Sequence, residues 1–321
     1  MTRRKASNMQ SKGTQSMAKD EADLAKSIIQ AAVSVAKAVS AKALFAYVHA
    51  IDDLEALQAA VKGSTKLYLV ARDATDQQRA KGISAELLTV PAFDLTRMGQ
   101  IKMATIIAFS QRLLQQGDVF VFLSGAVGRG IDTLVTMRVG EEYELFQSVG
   151  QPKLTEHIRR AVFEKVLRIA LELAHEGREG KPIGALFVIG DHRDTEKFCL
   201  PGRINPFKGY TEKERNILDD SIDESIKEIA KLDGAFVIKG NGVIIAACMT
   251  LRPALAGEQL PQGLGARHAA AAAITASTKS IAITLSESTG DVRVWRRGEM
   301  ITELEKSTRG LLDGATTPRV P

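Results

Sequence analysis

The sequence predicts an α/β protein of two domains, a small N-terminal parallel-sheet α/β domain followed by a mixed-sheet α/β domain. Three observations predict it. The 321 residues exceed one ordinary domain. In the first half, short β-type runs alternate with helical stretches, the pattern of a parallel sheet flanked by helices. In the second half, Gly240-Asn241-Gly242 and Ser288–Gly290 mark tight hairpins between apolar runs.

From Glu21 to Val39, Leu24, Ile28, Val35 and Val39 recur at helical spacing and predict an opening helix. Leu44–Val48, Leu67–Ala71, Leu87–Val90 and Val119–Leu123 read as strands, and Asp53–Val61, Thr75–Lys81 and Arg97–Gln115 as helices. Gly-Gln-Pro-Lys at 150–153 breaks both patterns and marks the domain boundary. The expected organisation is a disordered basic tail at 1–20, a first domain at 21–149, a second at 154–306 and a flexible tail from Ser307 to the end.

In the second domain, Ile158, Val162, Val166, Ile169 and Leu173 form one stripe of a long helix, and the run Ile183–Ile189 reads as a buried strand. Thr211 and Glu214 form a capping box that predicts a helix through Ile217, Leu218, Ile222, Ile226 and Ile229, ending at Lys231–Leu232. Ala235–Ile238 and Val243–Cys248 are expected as strands, Ala269–Thr275 as an alanine-rich helix, and Ile281–Leu285 with Val292–Trp295 as a final hairpin.

Hydrophobic residues at 45% and charged residues at 25% describe a globular chain and exclude collagenous or wholly disordered classes. The formal charge of +5 resides in the first 19 residues, which carry five bases and no acid, so the remainder is neutral. That neutrality, with aromatic residues at 5%, argues against a nucleic-acid binder. The tail MTRRKASNMQSKGTQSMAK lacks an apolar signal core, and no apolar stretch reaches the ~18 residues of a membrane span, so a cytoplasmic protein without a membrane partner is expected. Met9 and Met17 are alternative starts, and a basic binding arm is the other reading of the tail. Cys199 and Cys248 stand apart, without ligand spacing, and are expected as buried thiols rather than a zinc site or disulfide.

Three segments point to chemistry. Gly263-Leu264-Gly265-Ala266-Arg267-His268 leads into the alanine-rich helix, whose N-terminus already favours negative charge, so an Arg-His pair there suggests a phosphate seat. The bland alternative leaves Arg267 in solvent and His268 hydrogen-bonded in the core. Asp233-Gly234-Ala235 sits where a helix gives way to a strand; its small residues admit a close ligand, and its carboxylate suits a divalent cation or a hydroxyl proton. Ser286-Glu287-Ser288-Thr289-Gly290 puts a second carboxylate at a strand end. Asp-Gly-Ala recurs at 313–315 with no following strand and reads there as chance.

Taken in order, with Arg267 34 residues after Asp233 and Glu287 a further 20 on, these segments resemble the diadenylate cyclase (DAC) domain. EGREGKPIGALFVIGD, NPFKGY and LDGAFVI strengthen the resemblance, which covers about residues 154–300. The first domain, through GDVFVFLSGAVGRGIDTLVTMRVG, more weakly resembles the C-terminal domain of pyruvate kinase, a pairing found in the archaeal-type branch of the family. Its loop at 125–130 is read as a tight turn or as a seat for a phosphorylated effector.

The resemblance implies condensation of two ATP into the second messenger cyclic di-AMP and two pyrophosphates, with Mg²⁺ or Mn²⁺. It implies that Asp233 and Glu287 bind the metal and act in catalysis with Arg267 and His268. Gly234, Ala235, Leu251, Gly265, Ala266 and Ser286 join Arg267 and His268 as ATP-binding residues. Each subunit holds one ATP, so a face-to-face homo-oligomer is implied. The family's Arg-His-Arg motif ends here in Ala269, and Ala266 replaces a common threonine. Arg203, Lys208 and Arg252 are the candidate replacement cations. The rival reading is a catalytically weak nucleotide sensor on the same fold.

Overall fold

The computed structural model describes residues 22–93, 95–125, 130–139, 157–200, 204–252 and 265–306. Ala126, Val127, Gly128 and Arg129 of the 125–130 loop, the 150–153 boundary, Arg203, Gly263, Leu264 and both tails lie outside the described residues. The chain separates into two compact units, one of residues 1–92 with 114–139, the other of 93–113 with 140–321.

The first unit holds α1 (22–38), β1 (Ala43–Tyr47), α2 (Leu54–Val61), β2 (Lys66–Ala71), α3 (Ala74–Arg79), β3 (Glu86–Thr89), β4 (Val119–Ser124) and β5 (Thr133–Arg138). The sheet order is β3-β2-β1-β4-β5, parallel except for β5, which runs antiparallel to β4. Side-chain caps start the helices: Asp53 accepts from the Ala56 N–H and Asp73 from the Asp76 N–H. The buried stripe of α1 is Ile29, Ala32 and Ala36; the expected Leu24 and Val39 are exposed. β5 escaped the sequence reading because it is an edge strand with only Met137 buried, so its residues do not alternate cleanly.

The second unit contains α4 (Arg97–Ser110), α5 (Arg160–Glu176), β6 (Ala185–Gly190), α6 (His192–Lys197), β7 (Cys199–Leu200), α7 (Asp223–Ile229), β8 (Ala235–Lys239), β9 (Ile244–Leu251), α8 (Ala266–Ser277), β10 (Ile281–Leu285), β11 (Val292–Arg296) and β12 (Glu299–Leu304). Its sheet runs β12-β11-β10-β6-β8-β9-β7, and only β6 and β8 are parallel. Ala271, Ala272 and Ile274 of α8 pack on Leu186, Val188, Ala282 and Trp295. Alanine suits this helix twice, through high helix propensity and a close approach to the sheet. The residues that alternate with these, Phe187, Ile189 and Ile283, are buried too, and α5 packs on the same strands. Both faces of the sheet are therefore covered.

Three local expectations change. α4 groups with the second unit, where Lys102 bonds Glu305 at 3.5 Å, Ser110 bonds Glu164 at 2.7 Å and Leu95 bridges Lys306. The Thr211–Glu214 box forms, but no helix follows it directly. Asn216 bridges Val243, the Ile217 N–H donates to Gly242, and Arg215 accepts from Ile244, so the β8–β9 hairpin takes the backbone groups a helix would use. A single 3-10 turn at Asp220–Ile222 follows, and α-helix begins only at α7. β12 went unread because its residues do not alternate, with Ile301 and Thr302 both buried, and its pairing with β11 shifts register at Val294/Trp295.

Candidate active site

Sheet register gathers the chemistry at one edge. Ala185, at the start of β6, pairs with Leu285, at the end of β10; Leu285 pairs with Val292, at the start of β11; and Leu186 pairs with Ala235, at the start of β8. Asp233 precedes β8, Glu287 follows β10, and Arg293 lies second in β11. The N-terminus of α8 meets the same edge.

There Arg267 bridges the two carboxylates. Its Nη1 donates to Glu287 Oε2 at 3.2 Å and its Nη2 to Asp233 Oδ1 at 3.4 Å. Arg267 thus points neither freely into solvent nor into the core. Gly184 makes room for it: a Cβ at 184 would stand 2.5 Å from Arg267 Nη1. Gly265 caps α8 without a side-chain bond; the His268 N–H donates to Gly265 O, and those of Ala266 and Arg267 have no partner among the described residues.

His268 is buried, and its Nε2 lies 2.8 Å from Arg293 Nη1. Because guanidinium only donates, Nε2 accepts and the ring proton sits on Nδ1. Burial, followed by the charges of Arg293 and Arg267, pushes the His268 pKa down to about 4. The ring is neutral at pH 7, so the start of α8 carries one cation fewer than an Arg-His pair suggests.

These groups surround a pocket of about 750 Å³ that Asp233, Gly265, Ala266, Arg267, His268, Ser286 and Glu287 line. Ser286 also closes its own turn, accepting from the Thr289 N–H at 3.3 Å. Gly234, Ala235 and Leu251 do not line this pocket. Gly234 has φ +115°, and a Cβ there would meet the Cys248 backbone at 2.5 Å, so it serves the β8–β9 contact. Ala235 is core, and Leu251 packs against that core. Among the suggested replacement cations, Lys208 and Arg252 lie off the pocket; the guanidinium that does line it is Arg293, which the sequence reading missed. Its signal was slight, one polar position between Val292 and Val294 on a strand.

Carboxylate oxygens suit a hard divalent cation, and Mg²⁺ uses one or two of them together with substrate phosphates. Among the described residues, Asp233, Glu287, Asp291 and Glu303 around the pocket pair with two guanidiniums, those of Arg267 and Arg293. A triphosphate needs an accompanying cation to enter such a site, so the donor set fits one. No cluster of three metal-binding side chains occurs among the described residues. Cys199 and Cys248 are half-buried rather than buried, and burial pushes both thiols up, Cys199 to about 11.

The family profile described as DisA bacterial checkpoint controller nucleotide-binding (DAC) matches residues 172–300. The chain is 39% identical over 204 residues to the diadenylate cyclase of Haloferax volcanii, covering 62% of this chain and 72% of the relative. It belongs to the diadenylate cyclase family. A diadenylate cyclase of Methanocaldococcus jannaschii is 32% identical over 208 residues, covering 62% of this chain and 63% of that one. The crystal structure of DacA from Staphylococcus aureus aligns with a TM-score of 0.29 at 21% identity, covering 47% of this chain and 90% of that one. In this diadenylate cyclase family member, residues 24–146 match a profile described as the probable sensor domain DacZ_P. No helix among the described residues is long and apolar enough to cross a membrane.

Proposed function

We propose that this chain condenses two ATP into cyclic di-AMP and two pyrophosphates. The observation that carries the reading is Arg267 bridging Asp233 and Glu287, three side chains from three separate motifs, at one pocket. In each half-reaction the 3′-oxygen of one ATP attacks the α-phosphorus of the other. The bond from that phosphorus to the β-phosphate's bridging oxygen breaks, and pyrophosphate leaves with it. Two such steps close the ring.

Asp233 is suited to receive the hydroxyl proton, since its side chain is 95% exposed and free to reach a ligand. Asp233 and Glu287 would hold Mg²⁺ or Mn²⁺, which supplies neutralisation of the charge developing on the phosphates. Arg267 turns from the carboxylates to the pyrophosphate, and the open N–H groups of α8 serve the same anion. One pocket orients one ATP, so reciprocal attack needs two subunits face to face, with homo-oligomerisation as part of the mechanism. Residues 154–306 form the cyclase domain in this reading. Residues 21–149 are a sensor with a pyruvate kinase C-terminal-like fold, and the protein works in the cytoplasm without nucleic acid or membrane.

The test is to incubate the purified chain with ATP and Mg²⁺ or Mn²⁺ and resolve the products chromatographically. Cyclic di-AMP and pyrophosphate in a 1:2 ratio are expected. ATP binding without product would leave the sensor reading, which Ala269 favours.

A further inference from the structure

Arg293 reaches the pocket from β11 with its charge already engaged. Its Nε donates to Glu303 Oε1 at 2.6 Å, its Nη2 pairs with the same oxygen at 2.6 Å, and Asp291 stands 3.8 Å away. Only Nη1 turns to the site, and it meets His268 Nε2 at 2.8 Å. A guanidinium flanked by two carboxylates has little charge to offer a triphosphate. It is well placed to hold a ring.

We propose that Arg293 is a positioning residue that locks His268 with its proton on Nδ1, so that the ring offers an N–H donor to nucleotide phosphates at the start of α8. The proposal rests on the pocket being an ATP site. Nδ1 has no hydrogen-bond partner among the described residues, and it faces Gly265, standing 3.9 Å from where a Cβ there would be. It therefore lies beside the open first turn of α8, where an anion is favoured. The opposite tautomer would aim an Nε2–H at the Arg293 donor, two donors head to head. The depressed pKa of His268 agrees, since a neutral ring has one donor and its direction matters. In this chain, which has Ala269 where the family motif has arginine, orientation of His268 takes on part of the work of a missing cation.

The test uses the full chain with ¹⁵N-labelled histidine at pH 7, the His268 signals being assigned by their loss in His268→Asn. Wild type should show the Nδ1–H tautomer. Arg293→Met should shift the ring toward Nε2–H and weaken α,β-methylene-ATP binding about 10-fold, the value of one hydrogen bond to a charged group. Arg293→Lys, which keeps a donor and the Glu303 pair, should restore much of both. An Nε2–H tautomer in wild type overturns the proposal even if Arg293→Met fails to fold. So does a folded Arg293→Met with unchanged tautomer and affinity. Wild type that binds no analogue would instead overturn the ATP reading, a result separable from the tautomer.

Discussion

At the scale of single residues, exposure and burial separate chemistry from stability. The Asp233 side chain is 95% exposed and meets Arg267 at 3.4 Å, an ion pair of a kind worth about 0–1 kcal/mol. Asp233→Asn should therefore leave the melting temperature within about 2 °C and lower cyclic di-AMP formation by about 100-fold or more. Retained activity in the folded variant would remove Asp233 from the chemistry. His268 makes the opposite case. Its folded pKa of about 4 lies below the unfolded value of 6.5, so between those limits the unfolded chain binds more protons. The contribution of this group to stability is complete above pH 6.5 and is lost as pH drops toward 4. Denaturant titrations from pH 7 to 4 should show that loss, and His268→Gln should flatten it.

At the scale of elements, two glycines show how strand ends serve different purposes. Gly184, before β6, leaves space for the Arg267 guanidinium, the far end of a flexible side chain. Gly184→Ala should fold normally and raise the KM for ATP severalfold, because the added methyl crowds both the Arg267 guanidinium and the Glu287 Cβ beside the pocket. Gly234, before β8, holds φ +115° against the backbone of Cys248. Gly234→Ala combines a left-handed conformation with a backbone clash and should cost about 3 kcal/mol or more. Thermal unfolding with steady-state kinetics on both variants distinguishes the two roles. The β8–β9 hairpin also explains the fate of the Thr211 box, whose local bonds form while the following backbone joins the hairpin instead of a helix.

At the scale of the whole molecule, the chain enters the second unit at residues 93–113, returns to the first, and enters again at 140. A fragment of residues 154–306 lacks α4 and loses the Lys102–Glu305 and Ser110–Glu164 bonds and the Leu95–Lys306 bridge. It should melt below the same unit carrying residues 93–113, as calorimetry of the two forms would record. The proposed reciprocal attack between facing subunits sets a second expectation. Specific activity should fall on dilution where the contact is weak, or stay constant alongside a stable oligomer by light scattering. A monomer under assay conditions with undiminished activity would contradict reciprocal attack.

Local patterns carried most of the elements in this sequence. Period-2 and period-3.6 runs, turn glycines and capping carboxylates act over a few residues, so β1, β2, β4, β6, β8, β10 and α5 were legible from the chain alone. The three segments around Asp233, Arg267 and Glu287 were legible because their order and spacing match a family. Tertiary structure decided what pairing over long separations decides. Strand register put Gly184, Asp233, Glu287 and Arg293 at one edge, assigned Gly234 and Leu251 to packing, and gave α4 to the second unit. It also neutralised His268, because its charge state depends on burial and on an arginine 25 residues away that only the folded sheet brings within 2.8 Å.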